Sequence, residues 1–299
     1  MKAVPTYRAL ARALVAHPQL LRVKPSIGRF LLGYLSRFQI MDISGRLIIH
    51  SHLPAIGTQA YARFVREHLI ERTAGPSHAQ IGVTNACPQR CAFCYNRGRT
   101  GQVMDTATIR ELIRDLQRMG VVWLGFTGGE PLLDPDLPLL VEVAADGCAV
   151  KLFTTGIGIS RERAAALRGA GLSSVSVSLD HWEEDAHDRS RGYPGAFRAA
   201  LRAIDIFRET DGLHVGVSAV LDKEMLRPER VEQFLRFLEG LGVHEAWLSE
   251  AKPSIGRPRA RHHRGGAARP RCAPGPAQSG WRTDGQLPRP FRGQGALRL

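Results

Sequence analysis

The stretch Gln80-Ile-Gly-Val83-Thr84-Asn-Ala-Cys87-Pro-Gln-Arg-Cys91-Ala-Phe93-Cys94-Tyr95 opens as a short apolar run. It then breaks into a loop bearing three of the chain's five cysteines. Gln80–Val83 reads as a strand, and the chain beyond it repeats that theme in a regular rhythm. Thr106–Met119 carries Ile109, Leu112, Ile113 and Leu116 on one helical face. Strand-like runs follow at Val121–Thr127, Val150–Thr154, Ser174–Leu179, Leu213–Leu221 and Glu245–Leu248. Helical runs separate them at Leu137–Ala145, Ser160–Ala170, Gly195–Glu209 and Pro228–Leu241, with Ser160 as an N-cap and Gly171 as a stop. Six strands alternating strictly with five helices predict a parallel sheet with right-handed crossovers. Six units are too few for a closed eight-stranded barrel, so the expected class is α/β, an open or partial (β/α)6 barrel over residues 77–250. In such sheets the site lies at the carboxyl ends of the strands. The cysteine loop, Gly128-Gly129-Glu130, Thr154-Thr155-Gly156 and Ser178-Leu-Asp180 all fall there.

Upstream, residues 1–76 read as a mainly helical accessory region. Tyr7–Ala16, Ile27–Phe38 and Gln59–Arg72 have helical spacing, and Phe38–Ser51 reads as two short strands around the turn Ser44-Gly45. Arg8, Arg12, Arg22, Lys24, Arg29 and Arg37 dot these helices. A solvated helix face is the plain reading of them, and a membrane-surface or partner-docking face the alternative. His50 and His52 read as ordinary surface histidines.

Downstream, residues 251–299 hold 11 of the 41 Lys+Arg but only Asp284 of the 28 acidic residues, so they carry +10 of the net charge of +13. They also hold 8 Gly and 7 Pro without apolar periodicity, the composition of a disordered tail. A shift of reading frame near residues 253–258 accounts for the abrupt change of texture. A basic arm that binds nucleic acid would interleave aromatics or repeat a unit, and only Trp281 and Phe291 are present, so nucleic acid is not an expected partner.

Without its tail the chain is nearly balanced in charge, and with 43% hydrophobic residues it can bury a sizeable core. No run of 18 apolar residues predicts a membrane span. Clustered cysteines without a visible signal peptide point to a reducing, cytoplasmic setting and to metal binding more than disulfides. The spacing Cys-x3-Cys-x2-Cys puts three thiolates on one loop, close enough to ligate a compact metal centre and leave a position open. A structural zinc would need a fourth ligand; Cys148 and His78 are the nearest candidates, and neither has zinc-finger spacing.

Cys87-x3-Cys91-x-Phe93-Cys94 resembles the signature of the radical S-adenosylmethionine (radical SAM) enzymes. The resemblance implies a [4Fe-4S] cluster held by Cys87, Cys91 and Cys94, whose fourth iron chelates S-adenosylmethionine, with Phe93 in the aromatic position of the pattern. Gly128-Gly129-Glu130-Pro131 looks like the family's second motif, implying that backbone and carboxylate bind the SAM amino group. By the same resemblance Thr155, Ser178 and Arg191, with Arg189 as the alternative basic position, would line the SAM site. It further implies reductive cleavage of SAM to a 5′-deoxyadenosyl radical, fed by a low-potential electron donor of flavodoxin or ferredoxin type. Hydrogen abstraction from a peptide or small-molecule cofactor precursor would follow. The wording is similar to the branch of peptide-modifying maturases and cofactor-biosynthesis enzymes, many of which carry a cysteine-rich C-terminal extension. After Glu250 only Cys272 remains here, so auxiliary clusters are not expected, and the alternatives are an inactive cluster-binding remnant or a metal- or nucleic-acid-binding protein that uses the basic tail.

Overall fold

The computed structural model describes residues 2–96 and 103–251. The expectations for the tail and for a frame shift near residues 253–258 lie outside the described residues. Within them run nine strands in two sheets.

The larger sheet has six strands in sequential order: β4 (His78–Thr84), β5 (Trp123–Gly128), β6 (Ala149–Thr154), β7 (Leu172–Ser178), β8 (His214–Leu221) and β9 (Glu245–Glu250). Every neighbouring pair is parallel. The chain crosses over through α4 (Thr106–Arg118), α5 (Leu137–Ala145), α6 (Arg161–Gly169), α7 (Glu184–Arg191), α8 (Ala196–Glu209) and α9 (Pro228–Gly240). This is the parallel α/β sheet expected of a partial barrel.

Side chains alternate along each strand. One set, including Ile81, Val83, Phe126, Leu152, Val175, Val177 and Val217, enters the core with Ile109 and Ile113 of α4, Leu140 of α5 and Phe207 of α8. Burying one such side chain contributes about 1.5–3 kcal/mol. The other set, on the opposite face, is polar or aromatic: Gln80, Trp123, Lys151, Ser174, Ser176, His214, Ser218, Glu245 and Trp247. Capping fixes the helix starts. The Asp105 carboxylate accepts from Thr108 N at 2.7 Å, and the Ser160 hydroxyl from Arg163 N at 3.2 Å.

The alternation is not strict, because two helices, α7 and α8, separate β7 from β8. The reading passed over α7 because Glu184–Arg191 has no apolar stripe. Its charge order supports it instead, with Glu184 and Asp185 in the first turn and Arg189 and Arg191 in the last, each sign opposing the helix dipole.

The smaller sheet is antiparallel, β1 (Lys2–Val4) beside β2 (Ile40–Ile43) beside β3 (Arg46–Ile48), with the turn at Ser44-Gly45 as read. The three-residue β1 was too short to show a period. Helices α1 (Thr6–Ala16), α2 (Pro25–Leu35) and α3 (Gln59–Phe64) complete this region, and α3 runs on into a π-helical turn, Val65–Ile70.

His50 and His52 are not surface histidines. His50 is buried, and with Ser51 and His52 it closes the amino-terminal end of the large sheet. Trp123 Nε1 donates to Ser51 O at 2.7 Å, Lys151 Nζ to Ser51 Oγ at 2.6 Å, and Ser51 N to Glu245 Oε2 at 2.9 Å. Tyr34 OH lies 2.7 Å from His50 Nε2. Burial holds the His50 pKa down at about 4 and that of His52 at about 3, against Glu245, which pulls His50 upward. These groups belong to the end of the sheet opposite the cysteine loop.

Candidate functional site

The cysteine loop leaves β4 at its carboxyl end and is stitched to two neighbours. Thr84 Oγ1 accepts from Ala86 N at 3.1 Å. From the loop after β5, Gly129 N donates to Thr84 O at 2.6 Å and Glu130 N to Ala86 O at 2.7 Å. From the other side, Arg90 N donates to Arg191 O of α7 at 2.9 Å. Two glycines permit the first contact. Gly128 has φ +132°, and a Cβ there would stand 2.5 Å from Thr84 O; at Gly129 a Cβ would stand 2.1 Å from Ala86 O. Only a residue without a side chain lets these backbones meet.

Cys87 is exposed, Cys91 buried and Cys94 half-buried, and none is in a disulfide. The thiols are near enough for Cys87 to feel the charge of Cys91 and Cys94. Among the described residues, however, no three His, Cys, Asp or Glu side chains converge on a point that one ion could occupy. Three thiolates on one loop, with a backbone cradle beside them, are the donor set that an iron–sulfur centre takes. Burial raises the Cys87 and Cys91 thiols; at Cys91 the Arg191 guanidinium opposes this through its charge and a hydrogen bond.

Arg191 is buried beside Asp180. Its Nη2 donates to Asp180 Oδ1 at 2.6 Å, and its guanidinium carbon lies 5.4 Å from the centre of the half-buried Phe93 ring. Arg191 Nε is buried without a hydrogen-bond partner. Asp180 also accepts from Ser190 Oγ at 3.0 Å and from Val220 N at 2.9 Å, tying β7, β8 and α7 together. Cys91, Phe93 and Arg191 are thereby brought into one cluster. Arg189, the alternative basic position, shares the last turn of α7, but the Asp180 carboxylate holds Arg191.

The Glu130 carboxylate is engaged by the chain itself. Its side chain is wholly buried and accepts from Leu132 N (3.0 Å), Thr154 Oγ1 (2.6 Å), Thr155 N (2.6 Å) and Thr155 Oγ1 (2.5 Å). Burial raises its pKa, while the bonds from Thr154 and Thr155 work the other way. The carboxylate is a strut between the β5 and β6 loops, with its acceptor sites already taken by the chain. Thr155 is engaged in the same strut. Ser178 ends β7, half-buried on the polar face and in register with Ser218 of β8.

Two residues escaped the sequence reading: Gln89, which accepts from Cys91 Sγ at 3.7 Å, and Tyr95, whose hydroxyl meets Thr127 Oγ1 at 3.1 Å; Thr154 was placed at its strand end, but its bond to Glu130 was not foreseen. Asp180 was visible only as the end of a motif. Its place two residues after Ser178, on the same parity at the strand end, was the available signal.

These features agree with what the chain resembles. A family model described as the Radical SAM superfamily matches residues 81–238, more than half of the chain. A PqqA peptide cyclase of Bradyrhizobium diazoefficiens is 34% identical over 155 residues, covering 50% of this chain and 40% of the relative. An Fe-coproporphyrin III synthase of Methanosarcina barkeri is 36% identical over 149 residues, covering 48% and 37%. The chain thus spans about two-fifths of the length of these relatives. Among solved structures, Streptococcus suis SuiB bound to S-adenosylmethionine aligns with a TM-score of 0.54 at 17% identity, covering 61% of this chain and 42% of that one. Methylornithine synthase (PylB) aligns with a TM-score of 0.51 at 18% identity, covering 66% and 60%. The structural likenesses speak to the fold, and the matched sequence speaks to descent: the chain belongs to the radical SAM superfamily of enzymes.

Proposed function

We propose that this protein binds a [4Fe-4S] cluster through Cys87, Cys91 and Cys94 and S-adenosylmethionine beside it, and uses them to open a C–H bond of a peptide or cofactor precursor. Bound together, the two cofactors supply one-electron cleavage of the SAM sulfur–carbon bond, which yields a 5′-deoxyadenosyl radical. The observation that carries the proposal is the convergence of the three-cysteine loop, the Gly128-Gly129 cradle and the Asp180-held Arg191 at the carboxyl ends of β4, β5 and β7.

The chain's own residues have separate tasks. The Gly128-Gly129 backbone keeps the approach to the cysteine loop open for the amino group of the methionine moiety. Glu130, through Thr154 and Thr155, fixes the loops that form that approach. Arg191 presents the only cation described against the cysteine loop that is also buried, and it faces anionic groups there, thiolates or a carboxylate. Phe93 covers its guanidinium and excludes water. Ser178, at the strand end, supplies a hydroxyl for a ribose.

The relatives named for a peptide and for a porphyrin support a peptide or cofactor precursor as substrate. The electron would come from a flavodoxin- or ferredoxin-type donor, and the free thiols suit a reducing cytoplasm. Iron and sulfide analysis with an ultraviolet–visible spectrum of anaerobically purified protein tests the cofactor assignment. Four irons per chain with a broad charge-transfer shoulder are expected. Zinc in their place, or iron content unchanged when all three cysteines are replaced by alanine, would refute it.

A further inference from the structure

We propose that residues 1–41 dock this protein onto the surface of an anionic lipid bilayer, through basic and apolar side chains exposed on α1, α2 and the turn between them. From Met1 to Met41 the chain has seven Lys/Arg and no Asp or Glu. Residues 42–250, by contrast, hold 23 Lys/Arg against 27 Asp/Glu. The folded body is therefore polarised, with a cationic amino-terminal region on a mildly anionic remainder.

The same region exposes five large apolar side chains. Tyr7 is 68% exposed, Val15 85%, Leu21 79%, Phe30 69% and Leu32 46%. Helix α2 has no fully buried residue. At 100° per residue its solvent arc runs from Leu32 through Arg29 to Phe30. Its inner side carries Leu35 against the small core, and Tyr34 reaches His50. The outer arc of α1 likewise runs from Tyr7 through Val15 to Arg8, opposite the buried Ala9 and Ala13; Arg12, at its edge, is turned to Asp42 and Gly45 O and is not one of the docking cations.

A surface helix of a globular protein normally turns charged and polar residues of both signs to water. Arginine and lysine interleaved with Phe, Leu, Val and Tyr, with acid excluded, is the pattern of a helix lying in a membrane interface. Apolar side chains insert at the headgroup boundary while the cations meet lipid phosphates. A bilayer conforms to side chains scattered over two helices. Nucleic acid would use the cations but leave Phe30, Leu32 and Val15 in water. No helix among the described residues is long and apolar enough to cross a membrane, so attachment would be at the surface.

The test is co-sedimentation of the full chain with vesicles of equal parts phosphatidylglycerol and phosphatidylcholine, against vesicles of phosphatidylcholine alone. Residues 252–299 are themselves basic, so the decisive variant removes apolar groups and leaves every charge in place. The double variant Phe30→Ser/Leu32→Ser, with its thermal midpoint checked, is expected to bind anionic vesicles at least about tenfold more weakly than the wild type. Val15→Ser/Leu21→Ser serves if the first variant is poorly folded, with the same expectation. Wild-type binding to the anionic vesicles only, weakened by salt, supports the proposal. Three results would overturn it: no vesicle binding, binding that both variants retain in full, or tighter binding to duplex DNA that disappears in Arg22→Glu/Arg29→Glu.

Discussion

Gly129 is where the smallest change should do the most damage. One added methyl would meet the Ala86 carbonyl, adjacent to Cys87, and no flexible side chain stands there to move aside. Gly129→Ala is therefore expected to displace the cysteine loop and to lower the iron retained after anaerobic reconstitution. Gly169→Ala, at a position with nothing within 4 Å, should leave it unchanged. Glu130→Gln tests the strut. An amide cannot accept all four bonds, and each orphaned buried donor costs about 1–3 kcal/mol, so the urea midpoint should fall. The cysteines, the paired glycines and Phe93 were legible in the sequence because their types and spacing are unusual. The internal use of Glu130 was not, because its partners Thr154 and Thr155 stand 24 and 25 residues away on another strand.

Helix α7 shows what periodicity alone misses at the level of an element. Strands β4 to β9 announced themselves because one face of each is apolar and buried. Helix α7 is held by charge: its dipole-opposing ends and the Asp180–Arg191 pair, in which both side chains are less than a tenth exposed. Removing one partner of such a pair leaves the other buried and uncompensated, at about 3–5 kcal/mol. Asp180→Asn is expected to lower the denaturant midpoint by that order and to release α7 from the ends of β7 and β8. Hydrogen exchange of the α7 amides is the readout that separates this from a general loss of stability. Faster exchange in α7 but not in α5 is the expected pattern, since α5 is held by apolar packing through Leu140 and Val141 and makes no bond to Asp180.

Over the whole molecule, acidity should loosen the fold. Burial holds His50 at about 4 and His187 at about 4, whereas the unfolded chain takes up those protons near 6.5. Between these values the native state binds fewer protons than the unfolded one. Stability is complete above pH 6.5 and declines as pH falls toward 4. For His50 the loss by pH 5 is about 2 kcal/mol. Thermal midpoints should drop from pH 7 to pH 5, and the drop should shrink in His50→Gln. The sequence placed His50 on the surface because its burial depends on Tyr34, Ser51 and Glu245 meeting across the end of the sheet, which no local pattern records. The net charge was legible, but its partition mattered more than its sum.

The central claim concerns the end of the sheet where β4, β5 and β7 open, and product analysis tests it most directly. Anaerobically reconstituted protein is incubated with S-adenosylmethionine and dithionite, and 5′-deoxyadenosine is measured by mass spectrometry. Deoxyadenosine that depends on reductant, and is absent when Cys87, Cys91 and Cys94 are replaced by alanine, is the expected result. Protein that carries its full complement of iron and yet forms no deoxyadenosine, beside an active control enzyme, would contradict the account.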